Sequence, residues 1–483
     1  MSFNSFDFIF FFPSVVCLYF LMPYKFRWAL LLVASYYFYM CWKPEYIILI
    51  MVSTLIAYYS GIKMGQTENI HKRKPYLRLS IISNLSILFT FKYFDFFNDS
   101  IKVLLSYINI FYDVPAFKLL LPIGISFYTF QTLSYTIDVF YGRKKPEKHF
   151  GIFALYVSFF PQLVAGPIER STRLLPQFFK KHNFDYMRVK NGLLLIIWGF
   201  FKKLVIADQA AILVNQIYSV PENYTGIPLI LAAFLFAFQI YCDFSAYTDI
   251  AIGAASIMGF ELTQNFNRPY FSKSVTEFWR RWHISLSTWF RDYLYIPLGG
   301  NRAKPTRWFF NLFLTFLVSA LWHGANWTFI VWGGLHGLVV FFEALIDKSR
   351  KRFELAISAS WIKYNLYNSF SILMVFIFWC FSLIFFRANS FNDAFYIITH
   401  LFSGLQLSLC STDLGLDKNE IRTVFISIAF LLSVQLLQTR IRLRNWLATQ
   451  SIFVRWISYY MLVLSILIFG QGESRIEFIY FQF

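Results

Sequence analysis

Residues 229–242 read Leu229-Ile230-Leu231-Ala232-Ala233-Phe234-Leu235-Phe236-Ala237-Phe238-Gln239-Ile240-Tyr241-Cys242, and apolar character continues from 227 to 260. A helix that crosses a bilayer needs about 20 mostly apolar residues. Outward from this run, similar segments lie at 191–217 before it and at 308–324 and 327–346 after it. Others fall at 8–24, 28–42, 46–62, 79–97, 117–141, 151–166, 367–386, 422–438 and 454–470. The segments are continuously apolar, whereas a membrane β-barrel shows short segments that alternate apolar with polar. The pattern predicts an all-α, polytopic integral membrane protein of about 11 to 13 transmembrane or re-entrant helices, forming one membrane domain over residues 1–483. Composition agrees: 57% of residues are hydrophobic, 22% aromatic and 14% charged, with a mean hydropathy of +0.51.

The first apolar segment follows Met1 to Asp7, which carry no Lys or Arg, and no small-residue cleavage site follows it, so it reads as a retained helix. Lys25 and Arg27 come after the first span, Lys43 with Glu45 after the second, and Lys63, Lys72, Arg73, Lys74 and Arg78 after the third. The positive-inside rule then puts the amino terminus outside and loops 25–27 and 63–78 in the cytoplasm. Asp95 and Asp99 fall outside, and Arg143, Lys144, Lys145 and Lys148 return to the cytoplasm.

A formal charge of +18 fits basic cytoplasmic loops that set topology and touch anionic membrane lipids. A basic inner face also attracts an anionic soluble donor such as a coenzyme A thioester. The cations are scattered over short loops with no module to present them, which argues against nucleic-acid binding. Cys17, Cys41, Cys242 and Cys380 sit in apolar runs and Cys410 in a loop, without Cys-x-x-Cys or metal-ligand spacing; no metal is expected. No internal repeat is visible, which counts against a transporter of two related halves.

Two stretches carry polar groups into this apolar frame. Phe278-Trp279-Arg280-Arg281-Trp282-His283 belongs to a segment, 274–291, in which Trp279, His283, Leu286 and Phe290 recur at helical spacing. Glu277 and Arg281 form a favourable i, i+4 pair, so the segment predicts one aromatic-rich helix near the interface. The second stretch is Leu321-Trp322-His323-Gly324-Ala325-Asn326-Trp327. A histidine at bilayer depth costs roughly a few kcal/mol unless it lines a polar cavity, so His323 is expected to line one. His336, among Gly333, Gly334 and Gly337, predicts close helix packing with the imidazole as an interhelical bond.

These stretches resemble the membrane-bound O-acyltransferase family, specifically its bacterial branch for O-acetylation of alginate and peptidoglycan and D-alanylation of teichoic acid. The likeness extends through Leu121-Pro122-Ile123-Gly124-Ile125-Ser126-Phe127-Tyr128-Thr129-Phe130-Gln131, Ala165-Gly166-Pro167-Ile168 and Gln239-Ile240-Tyr241-Cys242-Asp243-Phe244-Ser245. It continues in Tyr293-Leu294-Tyr295-Ile296-Pro297-Leu298-Gly299-Gly300, Phe386-Arg387-Ala388 and Phe478-Ile479-Tyr480-Phe481-Gln482-Phe483. Ala246 departs from the pattern, where glycine is expected, and bears on helix packing there.

The resemblance implies that His323 is the catalytic histidine, that His283 is the second active-site histidine, and that helices surround a tunnel joining the two membrane faces. Neutral imidazole can take the proton of a hydroxyl as it attacks a thioester carbonyl, and burial favours that neutral form. Asn326, Asp243, Arg387, Trp279 and Trp282 are the accompanying substrate-positioning candidates, with Asn326 expected to hold the His323 tautomer. No tightly bound cofactor is expected; the donor substrate is acetyl-CoA or another acyl thioester, from the cytoplasm. An extracytoplasmic SGNH-type, serine-dependent acetyltransferase is the expected partner and an envelope polysaccharide the acceptor, which places the chain in a bacterial inner membrane. D-alanyl transfer to teichoic acid and a transporter or flippase are the alternative readings.

Overall fold

The computed structural model of the chain describes residues 1–112, 114–116, 120–164, 166–404, 414–470 and 477–479. Ala165, Cys410, part of the 117–141 segment and the tail residues Tyr480 to Phe483 lie outside them. Each apolar segment read from the sequence contains helix, 117–141 only over Ile125–Phe140, and the described residues contain no strand. Six of these helices are long and apolar enough to cross a membrane: Pro44–Gly65, Ile227–Met258, Trp327–Ile357, Trp361–Arg387, Lys418–Arg440 and Ile452–Phe469. Most of the other segments form short or interrupted helices, while 308–324 forms the unbroken helix Pro305–His323. Segment 151–166 divides into Phe150–Ser158 and Phe160–Leu163, and 191–217 is crossed by a π turn at Phe201–Ala207. Large apolar side chains point outward on many helices, as on Ile452–Phe469, where Leu467 and Ile468 are exposed. Such a surface suits a solvent of lipid tails.

The chain forms two compact units, one of residues Met1–Ile196 with Ile250–Gln264, the other of Ile197–Asp249 with Asn265–Phe483. In the first, polar side chains join three helices. Ser53 of Ile47–Gly65 donates to Asn84 Oδ1 of Ile70–Leu88, and Thr132 of Ile125–Phe140 donates to the same oxygen at 3.2 Å. Ser80 adds a bond to Thr136 at 3.3 Å. Each such interhelical bond contributes about 0.6 kcal/mol in a membrane protein, and together they fix the register of three helices that packing alone would let slide.

The segments expected as cytoplasmic loops, 25–27 and 63–78, are largely the ends of helices, and they meet on one side of this unit. Arg73 Nη1 donates to the Phe140 carbonyl at 3.2 Å, a Cβ on Gly65 would overlap Pro146, and His149 stands edge-on to Trp28 with 4.7 Å between ring centres. From Arg73 the chain stays helical through Ile70–Leu88, a π turn at Phe89–Tyr93 and Phe94–Ser106. At about 1.5 Å per residue this carries Asp99 roughly 40 Å away, close to the full thickness of a bilayer with its headgroups.

The second unit is built on an aromatic core that includes Tyr270, Phe278, Trp282, Trp332, Trp379 and Phe386. Helices Pro305–His323 and Trp327–Ile357 form a hairpin against it. A Cβ on Gly333 would lie 2.5 Å from Ala320 Cβ and 2.7 Å from the Phe316 carbonyl oxygen, so only glycine permits this approach.

Candidate active site

The expected continuous helix over 274–291 is broken at the residue that matters. Val275–Arg281 ends at Trp282, and Ile284–Phe290 starts after His283, whose backbone is left-handed at φ 43°, ψ 53°. A β-carbon in this region costs roughly 1 to 2 kcal/mol, so something must hold it. Asn265 does. Its backbone carbonyl accepts the Ile284 N–H at 3.0 Å and its side-chain Oδ1 accepts the Ser285 N–H at 3.1 Å. Those are two of the amides that a helix start leaves without partners. The turn carries the imidazole out of the line of the helix and into the core, edge-on to Phe244 with 4.7 Å between ring centres.

His323 is the last residue of its helix rather than a mid-helix residue. The following Gly324 is extended at φ −161°, and a Cβ there would overlap the Phe329 ring, so the chain turns back tightly toward Trp327. The sequence reading expects a polar cavity around His323; the structure surrounds it with aromatic rings. Trp322, Trp332 and Phe386 stand edge-on at 5.0, 5.3 and 5.5 Å between ring centres. Its partner across this cage is His283, with 6.3 Å between the two ring centres. Both side chains are buried and their ring nitrogens are closed to solvent. His283 lies between two short helices, outside the spanning ones. Burial, and then the neighbouring His323, hold its imidazole well below the ordinary histidine value, in the neutral form.

The accompanying residues divide. Asn326 does not serve the His323 tautomer: its Oδ1 caps Trp327–Ile357 by accepting the Thr328 N–H at 3.1 Å, and its Nδ2 donates to the Asn389 carbonyl at 3.2 Å. Asparagine in this position is a helix start signal, which is the simpler meaning of Asn326-Trp327-Thr328. Trp282 is packed in the core against Phe266 and Trp379, with ring centres 5.0 and 4.9 Å away. Arg387 ends its helix with Nη2 on Asn215 Oδ1 at 2.9 Å and its guanidinium over the Tyr218 ring. Asp243 is a buried ion-pair member. Lys203 Nζ lies 2.6 Å from Asp243 Oδ1 and 2.9 Å from Asp208 Oδ1, while Asp243 Oδ2 accepts the Ile479 N–H at 2.5 Å.

Trp279 belongs to a relay. Its indole N–H donates to His336 Nδ1 at 3.3 Å, and His336 Nε2 faces Ser382 Oγ at 3.1 Å, which bonds onward to the Trp379 carbonyl at 2.9 Å. Indole nitrogen only donates, so Nδ1 must be the accepting nitrogen and Nε2 carries the hydrogen. His336 therefore forms the interhelical bond expected of it, between Trp327–Ile357 and Trp361–Arg387, with both nitrogens occupied.

Sequence reasoning misses Asn265, Trp332 and Lys203. Lys202-Lys203 inside the apolar 191–217 segment is a visible signal, because charge within a membrane segment is costly unless paired. Asn265 and Trp332 carry no comparable mark, one being an amide in a polar loop and the other an aromatic among many.

The family model described as membrane-bound O-acyltransferase matches residues 149–387, which include Asp243, His283, His323 and Arg387. The chain is 38% identical over 437 residues to the "probable alginate O-acetylase AlgI" of Azotobacter vinelandii, covering 89% of this chain and 83% of that protein. The chain belongs to the membrane-bound O-acyltransferase family. Another relative within reach is the peptidoglycan O-acetyltransferase of Helicobacter pylori, 34% identical over 79% of this chain and 74% of its own length. The teichoic acid D-alanyltransferase of Bacillus subtilis is similar at 28% identity over 58% of this chain and 71% of its own. As a membrane-bound O-acyltransferase, the protein is a multi-pass membrane enzyme that transfers an acyl group to oxygen, and the transporter reading falls away.

Proposed function

We propose that the enzyme takes an acetyl group from a cytoplasmic thioester, acetyl-CoA, and delivers it for O-acetylation of an extracytoplasmic polysaccharide, alginate-like or peptidoglycan. The observation that carries this reading is the pair His283 and His323, 6.3 Å apart in an aromatic cage, in a chain whose more similar relatives are O-acetylating proteins. His323 acts as general base. It takes the hydroxyl proton as the acceptor oxygen attacks the thioester carbonyl carbon, and the carbonyl oxygen becomes an oxyanion. His283, which carries one N–H in its neutral form, donates it to that oxyanion or orients the acyl group. When the carbon–sulfur bond breaks, the thiolate recovers the proton from the His323 imidazolium. Positioned proton transfer of this kind contributes roughly 10² to 10⁴ in rate. His336 is excluded from the base role because both its nitrogens are occupied.

In this reading the chain acts in the bacterial inner membrane, with a passage that joins the two membrane faces. The ring nitrogens are closed to solvent, so substrate must displace aromatic side chains around His323 to reach them. An extracytoplasmic SGNH-type acetyltransferase accepts the acetyl group and hands it to the polysaccharide. The D-alanyl reading ranks second because that likeness covers less of the chain at lower identity. The test is to supply reconstituted protein with radiolabelled acetyl-CoA and the native envelope fraction. Label in ester linkage on polysaccharide or on a partner serine is expected. Release of free acetate alone, or label transfer only from a D-alanyl carrier, refutes the reading.

A further inference from the structure

A cleft of about 150 Å³ opens within the first unit, lined among others by Lys25, Arg27, Trp28, His149, Phe179 and Lys180. Arg27 is its buried cation, only 9% exposed. Its Nε donates to the Met22 carbonyl at 3.1 Å, Nη1 to the His182 carbonyl at 2.6 Å and Nη2 to the Phe20 carbonyl at 3.3 Å, while the guanidinium lies 4.8 Å from the Tyr19 ring centre. These partners use three of the five N–H groups and hold the side chain rigid. All of them are neutral. Among the described residues no carboxylate pairs with Arg27, Lys25 or Lys180. A buried cation without a counter-charge is costly, and an arriving anion would remove that cost.

We propose that this cleft is a binding site for a phosphate ester, with Arg27 as the anchor and Lys25 and Lys180 at the mouth. Guanidinium suits this role because it offers its remaining N–H groups to phosphate oxygens in a fixed geometry. Cavities that enclose whole small molecules run to roughly 300 to 1,000 Å³, so this cleft takes a headgroup and leaves the rest of its bearer outside. Trp28 and Phe179 supply apolar wall for the attached carbon skeleton, and Phe179 is half exposed at 50%. Lys25 and Arg27 stand in the first turn of the helix Tyr24–Met40, on the side that the positive-inside rule assigns to the cytoplasm, where anionic lipid headgroups concentrate. A phospholipid of that leaflet is the occupant this chemistry favours; the phosphate of a soluble nucleotide is the other source.

The experiment uses full-length protein extracted from vesicles of equal phosphatidylglycerol and phosphatidylcholine, with retained lipid counted by native mass spectrometry. A parallel arm adds adenosine 3′,5′-bisphosphate to the same protein in phosphatidylcholine alone and measures binding by calorimetry. Lys25→Gln with Lys180→Gln removes two exposed charges without touching the Arg27 hydrogen bonds, so folding is preserved; Arg27→Gln tests the anchor. Wild type is expected to retain phosphatidylglycerol over phosphatidylcholine by roughly tenfold, and the double variant to lose most of that preference. Bisphosphate binding that the double variant abolishes, without lipid preference, places the phosphate on a soluble bearer and keeps the site. Equal retention of both lipids with no bisphosphate binding, or either preference unchanged in both variants, overturns it.

Discussion

Three buried histidines in the second unit, His283, His323 and His336, occupy one aromatic cluster. His336 is tied at both ends, to Trp279 and Ser382, which fixes its tautomer and makes it a brace between helices. The ring centres of His283 and His323 lie 6.3 Å apart. Because burial and then His323 lower the His283 proton affinity, His283 stays neutral above about pH 6.5, the ordinary histidine value, and charges only well below it. The sign follows: any contribution of neutral His283 to transfer is complete above about pH 6.5 and is lost as the solution is acidified further. A pH profile of the transfer rate should show no ionisation from His283 between about pH 6.5 and 8. A limb near pH 7 that disappears in His283→Asn contradicts this assignment.

At the scale of elements, continuous apolar runs were legible because every spanning helix must hide its backbone polar groups along its whole length. The run at 227–260 became the helix Ile227–Met258, and 308–324 with 327–346 became the hairpin. The break at His283 was not legible. Trp279, His283, Leu286 and Phe290 keep helical spacing, and the residue that interrupts them, Asn265, lies 20 positions before the Ser285 amide it binds. Local pattern cannot announce a distant clamp. Asn326 failed in the opposite way: its meaning was local, a helix cap, and the catalytic neighbourhood invited a grander one. Asn265→Ala leaves the buried Ser285 amide without its acceptor, a loss of roughly 1 to 3 kcal/mol. The protein should unfold at lower denaturant, and Asn265→Ala should lower transfer by itself yet add little to the loss already caused by His283→Ala. In a double-mutant cycle, fully additive effects on rate contradict the view that Asn265 acts by positioning His283.

Across the whole molecule, family membership, membrane class and enzyme type were carried by ordered motifs spread along the chain, which no single histidine could supply. What remained hidden is long-range: the Lys203 ion cluster joins residues far apart in sequence. It also holds Phe478 and Ile479, since Ile479 bonds Asp243 and the Phe478 ring lies 4.4 Å from Lys203 Nζ. The central claim, however, rests on His323 as the base in acyl transfer. It is tested most directly by single-turnover transfer of radiolabelled acetyl from acetyl-CoA in reconstituted protein, comparing wild type with His323→Ala and with His336→Gln. The account predicts a fall of roughly 10² to 10⁴ for His323→Ala in correctly inserted protein and a far smaller fall for His336→Gln. Transfer by His323→Ala at the wild-type rate contradicts it.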